Sequence, residues 1–298
     1  MKTTVLITGA TSGIGRTTAL HLARRGFAVF ATGRDPDSLT SLGHEGSGLA
    51  LTPLRLDVTD PRSLAEARAA VLQATGGAGL DAVVNNAGYA LAQPIEDVTP
   101  AQLLEQLATN TIGAHAVTRA FLPEMRRRGA GRVVFVGSIA GRIAIPLLGA
   151  YDVSKHALEA LADAYRRELH AFGVRVILLR PGFVHSRLAA QTSARMASAV
   201  PAGSPYGRLY RAAGSLERIA ERLGGRAEEV AAAVEHALRA RRPRAHYAMP
   251  RHARWLIPLF AALPTGPADA LLRAATGFSA RALGLDEPAT PRAPEAAG

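Results

Sequence analysis

Short apolar strands alternating with amphipathic helices predict an α/β fold: a parallel, doubly wound sheet in a three-layer α/β/α arrangement. Three observations carry the prediction. The strand candidates are nearly continuous apolar runs, as in a sheet covered on both faces. Each is followed by a stretch long enough for a helical crossover, which parallel neighbours require. The first strand also runs straight into a glycine-rich turn that opens a helix.

Taken in order, Thr4–Thr8 is the first strand, Gly9 to Gly15 the turn, and Arg16–Arg25 a helix with apolar residues at helical spacing that stops at Gly26. Ala28–Thr32 follows as a buried-type strand. Leu51–Asp57, Ala82–Asn85, Arg132–Val136 and Arg175–Leu179 are further strands, separated by helical stretches at roughly 61–74, 100–125 and 152–171. After residue 185 the rhythm changes. Residues 186–225 are rich in Ala, Ser, Gly and Arg, a helix covers about 226–240, and residues 255–283 are apolar with Pro and Gly punctuation. No repeat and no linker divides the chain, so one domain is expected over 1–298, ending in a solvated tail at 286–298.

The chain of 298 residues has an ordinary globular composition, 48% hydrophobic and 20% charged, which excludes disorder throughout. A chain near this length buries about 75% of its unfolded surface without staples. Cysteine is absent, which excludes a disulfide scaffold, a thiolate metal site and a cysteine nucleophile. The histidines show no metal-ligand spacing with carboxylates, so no metal is expected. The net charge is +11, with the excess in the C-terminal part, and the basic residues are nearly all arginine; only Lys2 and Lys155 are lysines. There is no secretory signal and no apolar run of membrane-spanning length, so a cytoplasmic location is expected. Aromatic residues total 5% and no nucleic-acid motif occurs, so no nucleic-acid partner is expected.

The glycine-rich turn reads Thr8-Gly9-Ala10-Thr11-Ser12-Gly13-Ile14-Gly15. Glycines there let the backbone approach a pyrophosphate, and a helix N-terminus favours its charge. Asn85-Asn86-Ala87-Gly88 ends a later strand, and Asn110 falls in a helix. Ser138 follows another strand, Tyr151-Asp152-Val153-Ser154-Lys155 comes next, and Pro181-Gly182 closes the series. In this order the motifs resemble the short-chain dehydrogenase/reductase family over about residues 3–190. Tyr89 and the run from Tyr151 to Ala157 look most like its 17β-hydroxysteroid-dehydrogenase and retinol-dehydrogenase branch. All three asparagines of the chain fall on motif positions.

Tyr151 and Lys155, four apart, share a helix face. A phenol titrates near 10 unperturbed, and a nearby ammonium would favour the phenolate. The resemblance implies a Rossmann-type fold and hydride transfer between a nicotinamide cofactor and a carbonyl or alcohol. It implies Tyr151 as general acid/base, Ser138 on the substrate oxygen, Lys155 on the nicotinamide ribose, and Asn110 holding a relay water. It further implies cofactor contacts from Gly9, Thr11, Ser12, Gly13, Ile14, Gly15, Asn86, Ala87, Gly88, Pro181, Gly182, Val184 and Ser186, with Asp57 and Val58 at the adenine; Asp57 could instead cap the helix starting near Pro61. The cofactor-binding part is then about 1–185, and about 186–285 supply a substrate loop and a C-terminal extension.

The second strand ends Ala31-Thr32-Gly33-Arg34, with glycine where NAD enzymes of this type carry an acid. A guanidinium matches a 2′-phosphate, so NADPH/NADP+ is favoured over NAD, although Asp35 lies next door. The branch implies a lipophilic ketone, aldehyde or alcohol as substrate. Leu188, Met196, Val200, Tyr206, Leu209 and Tyr210 could form an apolar lid or ordinary packing. The family commonly pairs the helices carrying Tyr and Asn, so a homodimer or homotetramer is expected. The basic segment Arg239–Arg254 with Trp255-Leu256-Ile257 could dock on an anionic membrane. The favoured reading is a solvated arginine face followed by a core-packing tail, because prolines interrupt a long amphipathic helix.

Overall fold

The computed structural model describes residues 2–184, 200–201, 203–211, 224–250, 253–279 and 283. Seven strands form one parallel sheet: β1 (Thr4–Ile7), β2 (Ala28–Gly33), β3 (Leu51–Arg55), β4 (Ala82–Asn85), β5 (Gly131–Val136), β6 (Val174–Pro181) and β7 (His246–Met249), in the order β3-β2-β1-β4-β5-β6-β7. The helices are α1 (Gly13–Arg24), α2 (Pro36–Glu45), α3 (Pro61–Ala74), α4 (Pro100–Leu107), α5 (Gly113–Arg128), α6 (Gly149–Glu168), α7 (Gly207–Arg211), α8 (Ala227–Arg239), α9 (Ala253–Ala262) and α10 (Thr265–Thr276).

Strand side chains alternate between two cores. Val5, Ile7, Val134, Ile177 and Leu179 point to one face, with Leu22 of α1 and Val230 and Val234 of α8. Leu6, Val83, Val133, Phe135 and Leu178 point to the other, with Val117 and Phe121 of α5 and Leu158 of α6. This period of two, with both sets buried, is why the strands read as continuous apolar runs.

The chain leaves β1 for β2 and β3, then crosses back to β4 on the other side. The reversal opens a crevice at the carboxyl ends of β1 and β4, where doubly wound sheets bind ligands. Ile7 pairs with Val84, Asn85 with Phe135, Val136 with Leu179 and Pro181 with Met249. The turn Gly9–Gly15, Asn86, Ser138 and Gly182 therefore all emerge on that edge.

Several elements differ from the sequence reading. Helix α2 was not anticipated. Asp35 caps it, accepting the Ser38 backbone N–H at 3.0 Å, with Pro36 at the first helical position. The helix at 61–74 is capped by Asp60, not Asp57; Asp57 closes a local turn on Thr59 instead, which also ends β3 at Arg55. The long helix at 100–125 is broken by a π turn at Ala108–Ile112, and α5 runs on to Arg128. The basic stretch after α8 contains β7. The C-terminal apolar segment forms α9 and α10, and Pro258 lies inside α9 without ending it.

The tail does not pack into the core as expected. Ala253 is the buried residue of α9 and Thr276 that of α10, while Trp255 is 77% exposed. Beyond α10, Phe278 and Leu283 return to pack on a third apolar cluster with Ala92, Leu147, Leu148, Leu209 and Tyr210. Among the described residues no helix is long and apolar enough to cross a membrane.

Candidate active site

The glycine turn is built for close approach. Gly9 and Gly13 adopt left-handed φ of 63° and 50°, conformations that L side chains avoid. A Cβ on Gly15 would lie 2.2 Å from the Gly9 carbonyl oxygen and 2.5 Å from Asn86 Nδ2. Ser12, at the N-cap of α1, makes no side-chain capping bond, and no acid occupies the first turn. The N-terminal amides and positive end of α1 therefore face the crevice without an internal anion, as a pyrophosphate site requires.

Thr8 and Asn86 tie this turn to the end of β4. The buried Thr8 hydroxyl accepts the backbone N–H groups of Asn86 and Ala87, both at 2.9 Å. Asn86 Nδ2 donates to the carbonyls of Thr8 at 2.9 Å and Gly9 at 3.1 Å. Asn85 points away from the crevice and donates to Thr118 Oγ1 at 2.8 Å, a purely structural bond. Thr8 opens the glycine motif in the sequence, but its role as a tie between two strand ends comes only from the fold.

At the end of β2, a Cβ on Gly33 would come within 2.4 Å of Thr11 Cγ2, so glycine also makes room here. Arg34 is largely exposed, with its guanidinium 4.0 Å from Asp57 Oδ2. Burial alone would raise the Asp57 carboxyl, but the Thr59 hydrogen bonds and the Arg34 and Arg55 charges outweigh it and hold it below its ordinary value. Asp35 is occupied in capping α2. Val58 packs in the core, where a Cβ on Gly113 would meet its side chain at 2.6 Å. Gly182 is fixed by its N–H to the Met249 carbonyl at 2.7 Å, and Val184 bridges to Gly225. Ser186, Leu188 and Met196 lie outside the described residues.

Ser138, Tyr151 and Lys155 converge as expected. Ser138 follows β5 and is buried; its Oγ accepts the Ala140 N–H at 3.1 Å. Lys155 is 5% exposed, donates to the Val136 carbonyl at 2.9 Å, and places Nζ 5.6 Å from the Tyr151 ring centre. Burial lowers the ammonium to about 8. Burial also pushes the Tyr151 phenol up to about 12; a Ser138 hydrogen bond opposes the rise and the Asp152 charge adds to it. Burial thus outweighs the opposing Ser138 hydrogen bond, and the phenol carries its proton at neutral pH.

Asn110 sits at the centre of the π turn, 1% exposed. Its Oδ1 accepts the Tyr89 N–H at 3.0 Å; its Nδ2 donates to the Tyr89 carbonyl at 3.0 Å and to Ser154 Oγ at 2.9 Å. The amide therefore joins the segment after β4 to α6. Gln106, missed from the sequence, repeats the device one turn earlier. Its Nε2 donates to the Tyr89 carbonyl and its Oε1 accepts the Leu91 N–H, both at 2.8 Å.

Tyr151 packs against the third apolar cluster, which includes Leu209 and Tyr210 on one segment. Asp97 anchors that segment, accepting Ser204 Oγ at 2.7 Å and Tyr210 Oη at 2.8 Å. Tyr206 Oη donates to Glu96 at 2.7 Å.

A glycine cradle at a helix N-terminus, beside the converging Ser138, Tyr151 and Lys155 at the edge of a doubly wound sheet, is the arrangement of a dinucleotide-binding oxidoreductase. The sequence profile described as short chain dehydrogenase matches residues 3–197, and the chain belongs to that family, whose members are NAD(P)-dependent oxidoreductases. It is 36% identical over 279 residues to human retinol dehydrogenase 5, covering 90% of this chain and 87% of that protein. It is 34% identical over 265 residues to human 17-beta-hydroxysteroid dehydrogenase type 1, covering 83% and 77%. A solved short-chain dehydrogenase from Streptomyces avermitilis, 27% identical, superposes with a TM-score of 0.73 over 96% of this chain and 99% of that one.

Proposed function

We propose that this protein is an NADPH-dependent reductase of apolar ketones or aldehydes, able to run in reverse on the corresponding alcohols. The observation that carries the reading is the half-buried Tyr151 phenol, which keeps its proton beside Ser138 and has the Lys155 ammonium 5.6 Å from its ring centre. When bound, the cofactor supplies a hydride to the carbonyl carbon. Tyr151 Oη delivers the proton to the carbonyl oxygen, and the Ser138 hydroxyl orients that oxygen. Lys155 holds the nicotinamide ribose, and Asn110 supports the proton path behind it through the segment it fixes.

Gly33 followed by an exposed Arg34 supports a 2′-phosphate, and Asp35, the acid next in sequence, is engaged as a helix cap. The apolar residues around Tyr151 support a lipophilic substrate, as do the printed names of the two human relatives. Exposed Leu104, Ile112 and Val153 on α4, the π turn and α6 support a homodimer or homotetramer paired through that face; light scattering that returns a monomer would refute it. The test of the function is oxidation of NADPH and NADH over carbonyls graded from small aldehydes to steroid ketones. Turnover preferring NADPH and abolished in Tyr151→Phe is expected. Undiminished turnover in Tyr151→Phe overturns the assignment.

A further inference from the structure

Asp152 follows Tyr151 directly and is 2% exposed. Its Oδ2 accepts the Ile145 backbone N–H at 2.7 Å, and among the described residues its Oδ1 has no hydrogen-bond partner. An unpaired carboxyl oxygen in an apolar interior is costly, and mutation usually removes such a group unless it does something. The bond reaches back seven residues, from the first turns of α6 to the loop joining the short turn Ile139–Gly141 to that helix.

That loop is restrained a second time. The Leu147 carbonyl accepts the Gln93 N–H at 2.8 Å, and Leu147 has φ of 72°, a left-handed conformation unusual for leucine. Strain of this kind persists only where the surroundings dictate it, and it gathers at functional sites. The side chains so held, Ile145, Leu147 and Leu148, share one apolar cluster with Tyr151, Leu209 and Tyr210.

We propose that Asp152 is a positioning residue whose hydrogen bond to Ile145 fixes the Ile145–Leu148 wall beside Tyr151 and thereby sets which apolar carbonyls the site accepts by size. The proposal rests on the reading of Tyr151 as proton donor and of this cluster as the substrate chamber. It explains why a carboxyl serves where no charge is needed: an acceptor must be delivered across the loop from a position locked beside Tyr151. Burial pushes the Asp152 carboxyl up to about 8, so it is neutral at pH 7 and an amide can take its place.

The experiment compares Asp152→Ala, Asp152→Asn and Tyr151→Phe with the unaltered protein, measuring kcat and KM with NADPH over the same graded carbonyls at pH 7. Asp152→Ala is expected to raise KM for bulky ketones on the order of tenfold, with kcat on small aldehydes changed less than about twofold. Asp152→Asn is expected to restore KM to within about threefold, because its Oδ1 accepts the same N–H. An equal loss on all substrates, or an asparagine variant as impaired as the alanine one, overturns the proposal. Were Asp152→Ala unable to fold, Ile145→Ala keeps the N–H and trims the wall; it should shift preference toward larger carbonyls, and an unchanged profile refutes the idea. Amide exchange at Ile145 adds a readout that needs no turnover: about tenfold faster in Asp152→Ala and near normal in Asp152→Asn, with unchanged exchange in both counting against it. An active Tyr151→Phe defeats the acid assignment. An inactive one, with no size dependence in Asp152→Ala, defeats only the role of Asp152.

Discussion

The crevice at β1 and β4 and the chamber beside Tyr151 are built on opposite principles. The crevice is made of backbone and missing side chains: Gly9, Gly15 and Gly33 each sit where a Cβ would strike a neighbour, and Thr8 and Asn86 tie main chain to main chain. The cluster beside Tyr151 is made of side chains from separate stretches, Ala92, Ile145 to Tyr151, Tyr206 to Tyr210, and Phe278 with Leu283, and is held by two carboxyl groups, those of Asp97 and Asp152. A crevice without side chains suits a constant ligand, whereas a chamber of exchangeable apolar side chains can be retuned one residue at a time.

The strongest way to break this contrast is Gly15→Ala. Its methyl would meet two fixed polar groups, the Gly9 carbonyl and Asn86 Nδ2, and neither can retreat. We expect destabilisation on the order of 2 kcal/mol or more and loss of cofactor binding, read by thermal unfolding and NADPH titration. Gly266→Ala in α10, where a Cβ has nothing within 4 Å, should leave both unchanged.

A second test is the pH response of Asp152. The folded protein keeps a proton on this carboxyl up to about pH 8, whereas the unfolded chain releases it near 3.8. The native state therefore binds more protons between those values, and stability falls as pH rises from about 4 to about 8, by at most about 1.4 kcal/mol per pH unit. Denaturant midpoints across that range should show the decline, and Asp152→Asn should flatten it.

A smaller effect is expected at the crevice rim. Arg34→Ala removes one charge-assisted contact to a 2′-phosphate, about 1.5–3 kcal/mol. KM for NADPH should rise roughly tenfold to a hundredfold while KM for NADH barely moves. Equal changes for both cofactors would remove Arg34 from phosphate recognition.

The smallest effect sharpens the boundary of the chamber. Trp255 of α9 is 77% exposed, so Trp255→Ser should change stability by no more than about 0.5 kcal/mol. As the single tryptophan of the chain, it should also emit at the red, water-exposed limit of indole fluorescence. A blue-shifted emission would show that α9 is covered in solution.

Legibility follows the same division. The strands are legible because their period of two is local, and the glycine turn and the i, i+4 pair Tyr151 and Lys155 are local too; Asn86 and Ser138 stand out only through the order of motifs that resembles the family. Helix α2 was legible in principle, through Asp35-Pro36 followed by Ser38, and was passed over. β7 was not, because His246–Met249 is short and becomes a strand only by pairing with β6. The C-terminal prolines misled the reading of 255–283. Pro258 is tolerated inside α9, and the apolar residues of that helix and of α10 stay largely outside rather than joining the core.

From its sequence alone this protein is determined as a doubly wound α/β chain with a glycine-rich turn, because the strand period and the turn are local, while the order of Ser138, Tyr151 and Lys155 is legible through its resemblance to the family. Only the tertiary structure decided that Asn110 lies in a π turn and joins Tyr89 to Ser154, that Asp152 holds the loop before its own helix, and that Phe278 returns to the cluster beside Tyr151. Such contacts join residues separated by up to more than a hundred positions. They depend on where the packed sheet delivers each chain segment, which no local spacing encodes.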